Sequence, residues 1–254
     1  MKIARVKYDN SIFYGEIIED TIKRYEGSPF VVWEDTEEVY QLDEVQVLAP
    51  VLPSKVIGVA KNYAKHAEEM GLNEYEAPDS PEFFIKPSTS VIGPGENIIY
   101  PKIGKHVDHE AELAVVIGKI CHGINKDDWQ GYVLGFTAGN DLSERVLQGS
   151  KGMFTRAKGF DTFCPLGPFI ETEIDKNPEL SIKAFVNGEL RQDGNTRDMI
   201  FSIGELIEFI SGIMTLLPGD VILTGTPDGV GPVVPGDEVH VKIDTIGDLI
   251  NPVL

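Results

Sequence analysis

The sequence predicts a mainly β protein with short helices, an α+β chain in which a small all-β unit over residues 1–50 precedes a continuous unit over residues 51–254. Two observations carry that expectation. Apolar runs of strand length recur along the chain, separated by Gly, Pro, Asn and Asp, whereas helical spacing is confined to a few short stretches. No internal repeat and no low-complexity tract interrupts the pattern. In order, KIARVKY, IFYGEII and VVWEDTEEVYQLDEV alternate with polar turns and end near Pro50 or Pro53. VLPSKVIGVA runs as a strand into a turn, and NYAKHAEEMG has helical spacing with a Gly71 stop, giving a short helix over Tyr63 to Met70. LNEYEAPDSPEF, residues 72–83, is acidic, holds two prolines and lacks an apolar period, so it is expected as an exposed loop. Strands are then expected at FFIKP, NIIYP, ELAVVIG, YVLGFTAGN, FVNGEL, DVILTG and EVHVKI, with Pro-Gly-Asp turns at Pro218 and Pro235. Helices are expected at DDWQGYVL, at SERVLQ after Asp141, and over Ser202 to Met214, where Ser202 and Glu205 have the spacing of a capping box.

With 254 residues, 42% of them hydrophobic, the chain can bury a sizeable core. Its net charge of −19 argues against nucleic acid and anionic membranes as partners, and a small anionic substrate would need a local positive centre. No stretch approaches the ~20 apolar residues of a membrane span, and charges occupy the N-terminal positions where a signal peptide needs an apolar region, so a cytoplasmic location is expected. Cys121 and Cys164 follow no metal or redox spacing and are expected as two reduced thiols.

The most informative residues are Glu110 and Glu112 in DHEAELAVVIG. A strand sends residues i and i+2 to one face, about 6 to 7 Å apart at a rise of roughly 3.3 Å per residue, so two carboxylates stand side by side while Ala111, Leu113, Val115 and Ile117 form the other face. Like charges that close resist burial, and two readings fit: a solvent-facing strand edge, or half of a site for a hard cation. A third acid, Asp141, stands where an apolar strand hands over to a helix, either as a helix cap or as a further ligand. His66 and Glu69, three apart on the expected helix, share a face; they suit a general base held by a carboxylate, and equally a surface His beside a chance acid. TGTPDGVG lacks the Gly-Lys-Ser/Thr ending of a phosphate loop, which disfavours nucleotide binding; it is either a carboxylate-gripping loop or a plain turn.

GVAKNYAKHAEE, FFIKPSTSVIGPGENI, DHEAELAVVIG, GNDLSERVLQ, RAKGFD and GDVILTGTPDGVG occur in the order seen in the fumarylacetoacetate hydrolase superfamily, which residues 51–247 resemble. That resemblance implies a mixed β-roll or sandwich fold and a Mg²⁺ or Mn²⁺ ion on Glu110, Glu112 and Asp141, in keeping with the preference of hard ions for oxygen ligands. His109, on the opposite face of the strand from Glu110, is expected to be structural. By resemblance His66 and Glu69 activate a water beneath the loop after Gly71 acting as a lid, and Lys158 orients substrate oxygens. Arg145 is expected to contact a carboxylate or to pair with a ligand acid. Thr226 is expected to grip a substrate carboxylate, and Lys86 is a substrate contact or a surface lysine.

The implied activity is hydrolytic or decarboxylative C–C cleavage of small 2-oxo acids such as acylpyruvates or oxaloacetate through a metal-stabilised enolate. The alternatives are an isomerase, tautomerase or hydratase of unsaturated 2-hydroxy or 2-oxo dicarboxylates and, from another class, a non-catalytic metal-stabilised binding protein. A homodimer is expected by resemblance. Asp141→Ala is expected to remove activity with the fold retained.

Overall fold

The computed structural model describes residues 1–69, 78–149, 152–173, 175 and 178–254. The first fifty residues form β1 to β5 (Lys2–Tyr8, Ser11–Ile18, Thr21–Gly27, Trp33–Gln41, Gln46–Leu48). Then come β6 (Val56–Ala60), α1 (Ala64–Glu69), β7 (Glu82–Lys86), β8 (Val91–Ile92), β9 (Val107–His109), β10 (Ala111–Ile117), β11 (Val133–Asn140) and β12 (Ser143–Glu144). The chain continues with α2 (Arg145–Gln148), α3 (Phe154–Lys158), β13 (Cys164–Glu171), β14 (Ser181–Val186), β15 (Glu189–Asn195) and α4 (Ile203–Ile213). It ends with β16 (Val221–Leu223), β17 (Gly231–Val233), β18 (Glu238–Ile243) and β19 (Gly247–Pro252). The protein is mainly β with short helices, as the sequence predicts.

Three sheets organise these strands. The largest runs β4-β3-β2-β1-β13-β11-β10-β16-β6-β7, so the first fifty residues continue it through the antiparallel pairing of Ile3 with Ile170. A four-stranded sheet, β15-β14-β18-β19, and a three-stranded one, β12-β9-β17, complete the set. β10 lies deep in the large sheet with both faces covered. Leu113, Val115 and Ile117 pack with Ile182 and Val241 of the four-stranded sheet and with Leu206 and Ile210 of α4, while Ala114 and Val116 pack with Leu166, Ile170 and Leu223. A strand buried on both faces leaves little room for error, because deleting methyl groups from such a core leaves voids that the surroundings fill only partly.

Several local expectations hold. The capping box of α4 is complete, with Ser202 Oγ accepting from Glu205 N–H and Glu205 accepting from Ser202 N–H. In both Pro-Gly-Asp turns the glycine takes a positive φ, +86° at Gly219 and +101° at Gly236, which a side chain would oppose. Both cysteines are buried and free.

Other expectations change. FVNGEL is the turn of the β14–β15 hairpin, with Asn187 and Gly188 both at positive φ, the signature of a two-residue hairpin turn. DDWQGYVL supplies one 3₁₀ turn (Trp129–Gly131) before β11, and Ser143–Glu144 pairs with β9, so the helix expected at SERVLQ begins only at Arg145. NIIYP makes one isolated bridge, Ile98 to Val253. β13 went unforeseen because Pro165, Gly167 and Pro168 punctuate it. Of the expected loop over residues 72–83, residues 72–77 lie outside those described, as do Met70 and Gly71, and Glu82 already begins β7. Among the described residues no helix is long and apolar enough to cross a membrane.

Ser202→Ala is expected to lower unfolding free energy by about 1 kcal/mol through loss of the cap, readable as a shifted urea midpoint at unchanged m-value.

Candidate active site

Antiparallel register builds the acidic cluster. β10 pairs with β11 so that Ala111 faces Asn140, and the ladder is extended by Asp141 N–H donating to Glu110 O at 2.9 Å, which sets Asp141 beside Glu110. Glu110, Glu112 and Asp141 are 4%, 1% and 1% exposed, so the solvent-facing reading of the Glu pair fails. Ligand oxygens from the three lie within 4.8 Å of one another. Such proximity in a dry interior is unfavourable without positive charge.

The chain supplies much of that charge. Lys158 Nζ stands 2.6 Å from both Glu110 Oε2 and Asp141 Oδ2, and Lys86 pairs with Asp141 Oδ1. Arg145 donates to Glu110 Oε1 at 2.5 Å and to Asp108 Oδ2 at 2.7 Å, so of its two expected roles the structure places it against a candidate ligand acid. Burial pushes the Glu110 carboxyl up, but Lys158, Arg145 and His66 more than offset it and hold the group below the usual carboxylate range. Glu112 differs. Burial, reinforced by Asp141 and Glu110, pushes its carboxyl well above the usual range, and it accepts one hydrogen bond, from Gly225 N–H at 2.6 Å. Burial pulls the Lys158 ammonium down, yet Asp141 and Glu110 overcome it and keep the group charged.

A hard divalent ion fits this donor set. All three groups offer carboxylate oxygens, and among the described residues Glu112 is the one of the three in no ion pair, so a further positive charge has a place to bind.

His66 and Glu69 occupy one face of α1, and His66 is buried, which removes the surface-histidine reading. Their side chains do not meet in a hydrogen bond: His66 Nδ1 lies 3.5 Å from Glu69 Oε2, while the Glu69 carboxylate accepts from Gly229 N–H at 3.1 and 3.2 Å. Burial lowers the His66 pKa against the opposing pull of Glu110, favouring the neutral imidazole.

Part of this cluster lines a pocket. His66, Glu110, Glu112, Arg145, Lys158 and Thr226 form its polar side, and Val59, Ala67, Phe84 and Phe154 its apolar side. Phe84 stacks on Phe154 with ring centres 4.8 Å apart and lies under the Lys158 ammonium at 5.1 Å.

Three residues stand differently from expectation. Lys86 is neither a surface lysine nor part of the pocket wall; it is fully buried behind Asp141, donating also to Phe163 O at 2.9 Å and Leu142 O at 3.4 Å, which leaves no donor for a substrate. Thr226 reaches the wall, but its hydroxyl proton is committed to Ala111 O at 2.8 Å. Asp141 has Lys86 as a buried counter-ion, so Asp141→Ala strands a desolvated ammonium and the retained fold expected for it does not follow. TGTPDGVG is more than a turn. Gly225 has φ +97°, and a Cβ there would meet the Asn62 Cβ at 2.9 Å, so glycine lets the backbone come close enough for its N–H to reach Glu112. His109 is buried on the other side, with Nδ1 against Gln192 Oε1 at 3.2 Å.

Sequence reasoning missed Gln148, on the pocket wall, and Asp108. Gln148 accepts from Arg145 three residues earlier on α2, a spacing that was visible in SERVLQ.

Residues 55–254 match the family model described as Fumarylacetoacetate (FAA) hydrolase C-terminal, and residues 1–50 match the one described as Rv2993c-like, N-terminal. The chain belongs to the fumarylacetoacetate hydrolase family. Oxaloacetate tautomerase YisK of Bacillus subtilis is 43% identical over 227 residues, covering 85% of this chain and 75% of that protein. The structure of 5-carboxymethyl-2-hydroxymuconate delta-isomerase from Mycobacterium smegmatis superposes with a TM-score of 0.92 at 42% identity, covering 100% of this chain and 99% of the other. Maleylpyruvate hydrolase from Sphingobium sp. SYK-6, solved with manganese(II) and pyruvate, gives 0.81 at 33% identity, again covering 100% and 99%.

Lys86→Ala is expected to destabilise the fold by about 3–5 kcal/mol, since it leaves Asp141 Oδ1 buried beside the other carboxylates without a cation, with Lys158 holding Oδ2 alone. Urea denaturation measures this, and a loss below about 1 kcal/mol, the worth of a solvated pair, would show the contact to be solvent-screened.

Proposed function

We propose that this protein is a divalent-metal-dependent enzyme that enolises a small 2-oxo acid, and that its reaction is keto–enol tautomerisation of an oxaloacetate-type 2-oxo dicarboxylate. The observation that carries the proposal is the buried trio Glu110, Glu112 and Asp141, paired with Lys158 and Arg145 beside a pocket that Glu110, Glu112 and His66 line. The relatives' names support it: a tautomerase, an isomerase and a hydrolase seen with pyruvate share this chain's fold at 33–43% identity.

Glu110, Glu112 and Asp141 would hold Mg²⁺ or Mn²⁺, and the ion, when bound, supplies Lewis-acid polarisation of the 2-oxo group. The chain's own groups do the rest. Lys158 and Arg145 attract the anionic substrate into a protein whose overall charge of −19 repels it. His66, with Nδ1 toward Glu69, takes a proton from C3 at Nε2; the C–H pair becomes the new C=C bond and the carbonyl π pair moves onto oxygen. Lys158 stabilises the resulting charge, and return of the proton from His66 Nε2 to that oxygen completes the enol. Phe84 and Phe154 keep bulk water from that side, which strengthens these interactions.

A second reading, hydrolysis of an acylpyruvate or decarboxylation of oxaloacetate, is favoured by the place of Glu69. At 3.5 Å it is near enough to close on His66 and stabilise an imidazolium formed when water is deprotonated. Both readings include assembly as a homodimer, which sedimentation velocity tests.

Metal-free protein is expected to leave oxaloacetate tautomerisation at its uncatalysed rate, with Mg²⁺ or Mn²⁺ restoring turnover and EDTA abolishing it. Absence of EDTA-sensitive enol decay by ultraviolet absorbance would defeat the tautomerase reading, and pyruvate appearing at the same rate would favour cleavage. His66→Ala is expected to lower kcat by roughly 10²- to 10⁴-fold while leaving Mn²⁺ affinity nearly intact; a variant with full activity would remove His66 as the base.

A further inference from the structure

We infer that Gln192 is a positioning residue for the Glu110–Glu112 pair, its side-chain amide standing in for the strand neighbour that the intervening Ala111 lacks. The inference rests on the reading of these carboxylates as metal ligands.

β10 is paired unevenly. On one side β11 accompanies it from Ala111 to Ile117, but on the other β16 reaches only Ala114 to Val116. Beyond β16, the Thr224 backbone N–H and hydroxyl both donate to Leu113 O. Two residues further along, at Ala111, no strand among the described residues pairs with β10 on that side. Gln192 Oε1 accepts from Ala111 N–H at 2.9 Å, and Thr226 Oγ1 donates to Ala111 O at 2.8 Å. Gln192 Nε2 ties the two together, donating to Thr226 Oγ1 at 2.7 Å and to Pro227 O at 2.8 Å.

The amide orientation follows from its partners. Ala111 N–H can only donate and Pro227 C=O can only accept, so Oε1 and Nε2 cannot exchange places. His109 Nδ1, 3.2 Å from Oε1, is then the protonated ring nitrogen. Gln192 is fully buried, and both lone pairs and both N–H groups have partners. The hairpin that carries it is pressed against the TGTPDGVG loop: a Cβ on Gly194 would meet Pro227 at 2.4 Å, and one on Gly229 would meet Arg191 O at 2.1 Å.

Ala111 is the residue between the two glutamates, so holding both of its backbone groups fixes the directions in which Glu110 and Glu112 leave the chain. Metal sites require ligands held within about 0.5 Å, and groups that orient ligands without touching the ion matter for affinity.

The test is Mn²⁺ binding to metal-free full-length protein, followed by electron paramagnetic resonance of the free ion. Gln192→Met, of similar length but without the amide, is expected to bind Mn²⁺ at least about tenfold more weakly. Ser202→Ala, destabilised at a distance, is expected to bind as wild type does, which separates positioning from general stability. Should Gln192→Met not fold, Gln192→Asn, with the same amide one methylene short, is expected to show the same loss. Wild-type affinity in a folded Met or Asn variant overturns the inference while leaving the metal reading intact. Failure of wild-type protein to bind Mn²⁺ overturns both.

Discussion

Three carboxylates with oxygens within 4.8 Å of one another, away from water, repel strongly, and the surrounding structure is arranged around that repulsion. β10 and β11 bring the acids together by register, α3 delivers Lys158 from one side, β7 delivers Lys86 from behind, and α2 delivers Arg145. Lys86 answers one carboxylate oxygen, and Lys158 and Arg145 each bridge two. Glu144, itself fully buried, caps α2 by accepting from Leu147 N–H and also takes the N–H groups of Lys105 and His106, anchoring the segment from which Arg145 reaches Glu110. Local elements that look minor in the fold, a four-residue helix and a two-residue strand, exist because the charges need them in place.

A second constraint is the close approach of the loop Thr224–Gly231 to β10. Within a few residues it gives Gly225 N–H to Glu112, Thr226 Oγ1 to Ala111 and Gly229 N–H to Glu69. One segment therefore sets the candidate ligands and the partner of the candidate base together. Glycine at 225 and 229 is what makes the approach sterically open.

Much of this was legible in the sequence, for identifiable reasons. The period-2 pattern of ELAVVIG placed both glutamates on one face, the strand-to-helix change after Asn140 placed Asp141 at a strand end, and Ser202 with Glu205 marked the longest helix. What escaped depended on partners distant in sequence. Lys86 reads as either a substrate contact or a strand-end surface lysine, because nothing nearby in the chain reveals a carboxylate 55 residues on. Gln192 sits in a polar hairpin, and only the fold brings it to Ala111, 81 residues earlier. Helix expectations failed at DDWQGYVL because sheet pairing of β11 outweighed local propensity, and β13 was hidden by its prolines.

The buried lysines have one further consequence. In many small metal sites the ion is what overcomes ligand repulsion, so the polypeptide stays unfolded until it is loaded. Here Lys86 and Lys158 already neutralise Asp141 and Glu110 within the chain itself. On the proposed metal reading, two of the acids that would hold the ion already carry counter-charges from the chain, so ion loading need not be the step that makes the chain fold.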